Sequence, residues 1–208
     1  FLRPTVVVSP QQIKHLAWCP GTRYESELLT KSEEYTALQK SGIPVPKWAL
    51  VTQDQRPSLE DFGPYVVCKP DAGAKGAEVK IKRTGRVRRN PPANKLARRL
   101  KADGLLAQEF IYTGCWPVSY RVTTLFGKAL FSCRVEADRS RRPLQGPDQF
   151  RSQGGGMSIC SSGKACTFEL NHDREVIELG ERAHASFPNI AVLGVDIIRE
   201  QPSGKLYV

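Results

Sequence analysis

YVVCKPDAGAKGAEVKIKR, residues 65–83, is the stretch whose reading decides the fold. A β-rich run at residues 65–68 delivers Lys69 to its end, a turn of small residues spans 71–77, and alternating Val79 and Ile81 carry a second run over 78–82. The pattern predicts strand, flexible loop, strand. Gly73 and Gly76, with Ala72, Ala74 and Ala77 around them, keep Cβ atoms away from backbone N–H groups. Such a loop can close over a chain of phosphates while Lys69 supplies a point charge. An ordinary glycine-bearing hairpin with a solvated lysine fits the same residues, so the rest of the chain must decide between the two.

The 208 residues suffice for one domain, or for two small lobes sharing a cleft, and the composition is that of an ordinary water-soluble protein. No apolar run reaches the roughly 18 residues of a spanning helix, and no signal-peptide order opens the chain. No membrane association is expected. Six cysteines, at 19, 68, 115, 133, 160 and 166, form no CxxC pair, which points to a reducing cytoplasm. The chain starts at Phe1 and stops at Val208 inside an apolar strand pattern, and so reads as a fragment.

The net charge of +10 has a local origin. Lys80, Lys82, Arg83, Arg86, Arg88, Arg89, Lys95, Arg98, Arg99 and Lys101 lie in one acid-free segment, and the remaining 21 basic residues match the 21 acidic ones. The segment could face a polyanion, an anionic lipid or an acidic protein. It lacks interleaved aromatics and any nucleic-acid motif, so a solvated basic face is the preferred reading and nucleic acid is not an expected partner.

Outward from the central stretch, residues 1–29 read as a connector. Thr30 and Glu33 form a capping box for a helix over 31–40 that Gly42 ends. Pro44 and Pro46 keep residues 43–51 extended. Residues 58–62 suit a short helical piece, and 93–102 a basic helix with Leu96 and Leu100 inward. In the run 105–111, Gln108 and Glu109 are out of place unless they meet a polar partner, and the backbone beside them offers the donor and acceptor that an adenine edge requires. A solvated strand-end carboxylate is the alternative.

Runs 120–126 and 129–136 predict a hairpin turning at Gly127-Lys128, each strand carrying an arginine, Arg121 and Arg134. Such a planar fork, aimed into a cleft, suits phosphate or carboxylate; an outward-facing arginine is the alternative. Residues 138–157 are rich in Arg, Pro, Gly and Gln and read either as a functional loop or as disorder. An amphipathic helix over 173–187 precedes the strand AVLGVDII, residues 191–198, whose Asp196 would be costly to bury without a cation or a hydrogen-bond network.

Taken together, LLTKSEEYTALQKSGIPVP (28–46), VVCKPDAGAKGAEV (66–79), LLAQEFI (105–111), SYRV with GKALFSCR (119–134), FRSQGGG (150–156) and LGVDII (193–198) resemble the ATP-grasp superfamily. The similarity is greatest to the carboxylate-amine ligases that add glutamate to ribosomal proteins. It implies an α+β fold of two lobes, 30–106 and 107–208, whose antiparallel sheets enclose ATP. Lys31, Lys69, Gly73 and Gly76 would meet the nucleotide, and Gln108, Glu109, Phe110 and Ile111 would form the adenine hinge. Arg134 and Arg121 would face the reacting groups, and Asp196 would bind Mg²⁺. The implied activity is ADP-forming ligation of a carboxylate to an amine through an acylphosphate, the acceptor being a small molecule, a peptide or a protein.

Three departures stand out. Ser119 replaces an acid expected near the ribose, Gln153 replaces an asparagine, and a second metal carboxylate would fall past Val208. Two other classes of function remain open. One is a non-catalytic module holding an acidic partner through residues 80–101; the other is a phosphotransferase using the same clamp.

Overall fold

The computed structural model describes residues 5–9, 21–25, 28–52, 54–73, 78–88, 104–139, 143–144 and 166–208. Gly76, the helix expected at 93–102 and most of the 138–157 loop lie outside them. The chain opens with β1 (Val6–Ser9) and β2 (Thr22–Glu25), which pair in parallel. Helix α1 (Lys31–Lys40) follows with the predicted capping box: Thr30 accepts from the Glu33 N–H, and Glu33 accepts from the Thr30 N–H. Its end is a Schellman turn, in which the Ile43 N–H donates to Leu38 O and Gly42, at φ +69°, donates to Gln39 O. Leu38 and Ile43 are both buried, so the turn also seals an apolar contact.

A four-stranded antiparallel sheet comes next, built from β3 (Trp48–Val51), β4 (Tyr65–Pro70), β5 (Lys80–Arg83) and β6 (Leu105–Glu109) in the order β3-β6-β4-β5. Alternation assigns its faces. Val51, Val66, Cys68, Leu105 and Ala107 pack on Phe62 of the short α2 (Leu59–Phe62) and on Val87. Lys69 and Leu106, paired in register, point the other way. Strand β6 pairs with β3 on one side and β4 on the other, and so belongs entirely to this sheet.

The second sheet, also antiparallel, has the order β11-β10-β7-β8-β9, from β7 (Val118–Leu125), β8 (Lys128–Ala137), β9 (Cys166–Leu170), β10 (Val192–Arg199) and β11 (Leu206–Tyr207). Helix α3 (Arg174–His184), capped by Asp173, packs Val176, Leu179 and Ala183 on Val122, Val195 and Ile197. The same cluster takes in Tyr35, Leu38 and Ile43 next to α1's lobe, with Leu106 of the first sheet. One apolar core therefore joins the lobes and fixes the cleft between them.

Two expectations need correction. The β7–β8 turn is Phe126-Gly127, one residue earlier than predicted, because both central residues of a primed two-residue turn take positive φ. Phe126 is held there by its N–H bond to Ala191 O at 2.7 Å and by edge-on contact with Tyr24. Asp196 is not buried. In β10, Val195 and Ile197 face the core, which turns Asp196 outward with 66 % of its side chain accessible.

Helix α3 lies so close to β7 that a Cβ on Gly180 would sit 2.7 Å from Val122 Cβ. Gly180→Ala gains helix propensity, about 1 kcal/mol, but forces overpacking against a stiff β-branched neighbour, at a cost of about 1–3 kcal/mol. Urea denaturation should show a lower midpoint than the wild type, and Gly180→Ala with Val122→Ala should recover part of the loss.

Candidate active site

Between the sheets lies a cleft of about 540 Å³. Lys31, Glu34 and Tyr35 of α1, Lys69 and Gly73 of the first lobe, and Arg121, Gly194 and Asp196 of the second line it. The local sequence explains the placement of the cations. Pro70 and Asp71 end β4 just after Lys69, and Asp71 then anchors α1: Ser32 donates its N–H to Asp71 Oδ1 at 2.8 Å and its hydroxyl to Oδ2 at 2.9 Å, while the Lys31 N–H donates to Asp71 O at 2.7 Å. A carboxylate at a helix N-terminus is favoured by the orphan N–H groups and by the macrodipole. Through it, the start of α1 with Lys31 is tied to the end of β4 with Lys69.

Lys69 Nζ donates to Tyr35 Oη at 2.7 Å and to Gln108 Oε1 at 2.8 Å, and the Tyr35 hydroxyl donates to the same Gln108 oxygen at 2.7 Å. The ammonium also sits 4.7 Å from the centre of the Tyr35 ring, which itself stacks on Trp48. Burial, reinforced by Lys31, pushes the Lys69 pKa down to about 8, against the opposing pull of Glu34 and Asp196. Burial first, then Glu34 and Asp196, push the Tyr35 hydroxyl up, so it stays protonated.

On the opposite wall Arg121 grips Asp196 bidentately, Nε to Oδ1 at 2.7 Å and Nη2 to Oδ2 at 2.8 Å. That hydrogen bonding raises the Arg121 pKa, so the guanidinium is a permanent charge. The two residues are register partners and share a face of the sheet. Arg134 is paired with Tyr120, one step along β7 from Arg121, and so stands on the other face. It binds Glu136, and Glu169 lies 3.6 Å away. The polar site expected beside Glu136 exists, but it does not open into the cleft.

The hinge residues divide as well. Gln108 reaches the site through Lys69, whereas Glu109 accepts from the Lys47 N–H at 3.3 Å, Phe110 packs on the Tyr65–Leu144 cluster and Ile111 is buried. None of these four lines the cleft. Tyr35 and Asp71 are site residues that sequence reasoning missed. Tyr35 was indistinguishable from a core aromatic at helical spacing; the acid directly after the Lys69-Pro70 strand end was the one available signal for Asp71. Among the described residues no group of three His, Cys, Asp or Glu is arranged for a metal. Asp196, the residue expected to bind magnesium, lines the cleft paired with Arg121, and the described residues around it do not complete a magnesium site.

Two antiparallel sheets present lysines from one lobe and an arginine–carboxylate pair from the other to a shared cleft, an α+β clamp. The ATP-grasp domain model matches residues 29–208, and the chain belongs to that family. No curated protein matches it. Among solved structures, D-alanine–D-alanine ligase from Bacillus anthracis, complexed with ATP, superposes with a TM-score of 0.53 at 15 % identity, covering 87 % of this chain and 53 % of that one. The ATP-grasp ligase PsnB, complexed with a phosphomimetic variant of its minimal precursor, Mg and ADP, gives 0.57 at 17 %, covering 92 % and 53 %. The D-cycloserine synthetase DcsG gives 0.57 at 16 %, covering 87 % and 60 %. The chain thus spans a little over half the length of these proteins, and at such identities the likeness shows a shared fold.

The environment of Lys69 makes a stability prediction. Between about pH 8 and the ordinary lysine value of 10.5 the unfolded chain holds a proton that the folded chain has lost. Stability therefore rises with pH across that window, by at most about 1.4 kcal/mol per pH unit from this group. Urea unfolding of wild type against Lys69→Met from pH 7 to 10 should show the wild type gaining on the variant above pH 8; a constant difference contradicts the lowered pKa.

Proposed function

We propose that the cleft holds the phosphates of ATP and that the protein is an ATP-dependent carboxylate-amine ligase, with the glutamate-adding enzymes of ribosomal proteins as its nearest functional model. One observation carries the reading: Lys69 and Asp196, on strands of different sheets, line the same cleft. Lys31, at the start of α1, and Lys69, at the end of β4, supply cations to neighbouring phosphate oxygens. Gly73, at the start of the small-residue loop, lets backbone approach them. The Gln108–Ile111 segment is assigned to the adenine as a proposal from the family resemblance.

Arg121 is the guanidinium assigned to the reacting carboxylate, since among the described residues it is the arginine on the cleft wall. In the first step a carboxylate oxygen of the substrate attacks the γ-phosphorus, the bond to the bridging oxygen breaks and ADP leaves. In the second, an amine attacks the acyl carbon, inorganic phosphate departs with the C–O bond electrons, and the amine proton passes to solvent. The chain's own contribution is positioning and electrostatic stabilisation by fixed cations. Magnesium, which the family resemblance implies, enters no step because the described residues do not build its site. The amino-acid and peptide ligases that share the fold favour a carboxylate of the same chemical kind.

Calorimetric titration with ATP tests the proposal. Lys69→Ala should weaken binding about 10- to 100-fold, the loss of one charge-assisted hydrogen bond in a desolvated site. Arg134→Gln, on the far face of the sheet, should leave affinity within about twofold. Equal affinities for wild type and Lys69→Ala remove the cleft from consideration as the nucleotide site.

A further inference from the structure

The wall of the cleft is backed by a polar triangle that the ligase chemistry does not by itself require. Gln108 Oε1 accepts two hydrogen bonds, from the Tyr35 hydroxyl and from Lys69, and the Tyr35 oxygen accepts a second from Lys69. Tyr35 and Gln108 are both buried, lie 73 residues apart in sequence and come from different elements, α1 and β6. The Tyr35 ring is itself fixed by stacking on Trp48 at 5.6 Å. An ammonium has three N–H donors. Two of them are spent on this pair, and among the described residues the third has no hydrogen-bond partner.

We propose that Tyr35 and Gln108 are positioning residues that hold Lys69 so that one N–H is presented to a single phosphate oxygen, and that they set the protonation of Lys69 and thereby make anion binding proton-coupled. The inference rests on the nucleotide reading for the identity of the anion but not for the geometry. Both hydrogen bonds to Lys69 go to neutral oxygens, which direct the ammonium without neutralising it. A carboxylate in the place of Gln108 would stabilise the charge and consume it as well.

Among the described residues, the charged groups around Lys69 are Lys31 and Glu34 on α1 and Asp196 with its partner Arg121 on the facing sheet. Glu34 is bound to Lys31 at 2.8 Å and Asp196 to Arg121, so each nearby carboxylate is already matched by a cation. Lys69 consequently has no dedicated counter-ion among the described residues. An arriving anion fills that role, and above the pH at which free Lys69 loses its proton, binding must bring one back.

The test separates this inference from the nucleotide reading by titrating Lys69 with no ligand present. In protein carrying ¹³C/¹⁵N-labelled lysine, the Lys69 Cε–Nζ signal, assigned by its absence in Lys69→Met, should titrate near pH 8. Tyr35→Phe, which deletes an acceptor from the ammonium, should lower that midpoint. Gln108→Glu, which adds a carboxylate at the same position, should raise it. Opposite shifts support the inference, whereas shifts of the same sign, or none, overturn it.

Inorganic triphosphate then serves as the anion. Its affinity should fall with pH above the wild-type midpoint, and Tyr35→Phe should weaken it about fivefold at pH 7, corresponding to one neutral hydrogen bond. A triphosphate affinity independent of pH and of Tyr35 also overturns the inference. Should the opposite shifts appear and triphosphate bind as expected while ATP does not, the positioning role stands and the nucleotide reading fails.

Discussion

A lysine ammonium withdrawn from bulk water without an ion-pair partner is the constraint on which the cleft depends. Desolvation disfavours its charge, and two neutral oxygens, on Tyr35 and Gln108, hold it in place. Those oxygens stay put because the elements bearing them are fixed independently. Tyr35 is on a helix with both ends capped, and Gln108 is on a strand bonded on both sides. Asp71 then ties the first turn of that helix to the strand bearing Lys69. The site is therefore built from rigid parts, and its charge is the one quantity left open to change.

The facing wall uses the reverse arrangement. Arg121 and Asp196 are exposed and satisfy each other, an interaction of the kind that contributes little to stability in water. Its consequence is geometric: the guanidinium is held on the cleft wall, by two hydrogen bonds, to a partner directly across the ladder. Arg134 shows how strictly strand alternation divides such roles. It is one strand away and offset by a single residue in register, yet it serves an ion cluster on the opposite face.

What the sequence made legible was local. The capping box at Thr30 and Glu33, the strand–loop–strand around Lys69, the amphipathic α3 and the strand carrying Asp196 each announce themselves within about ten residues. The α+β clamp followed from their order. What stayed hidden depends on pairing over long separations: Asp71 meets Ser32 across 39 residues, and Tyr35 meets Gln108 across 73. Asp196 looked buried because its run is almost wholly apolar. The structure shows that β10 turns one face to the cleft, and the alternation of Val195 and Ile197 with Asp196 becomes meaningful only once the faces are known.

The most direct test of the account is the proton balance of nucleotide binding. ATP is titrated calorimetrically into the protein at pH 8.5, in buffers of different ionisation enthalpy, alongside Lys69→Met. Binding should take up between about a half and one proton in the wild type beyond that in the variant, because Lys69 must recover its charge to meet the phosphate. Identical proton counts in the two proteins would contradict the claim that Lys69 is the cation that meets the nucleotide.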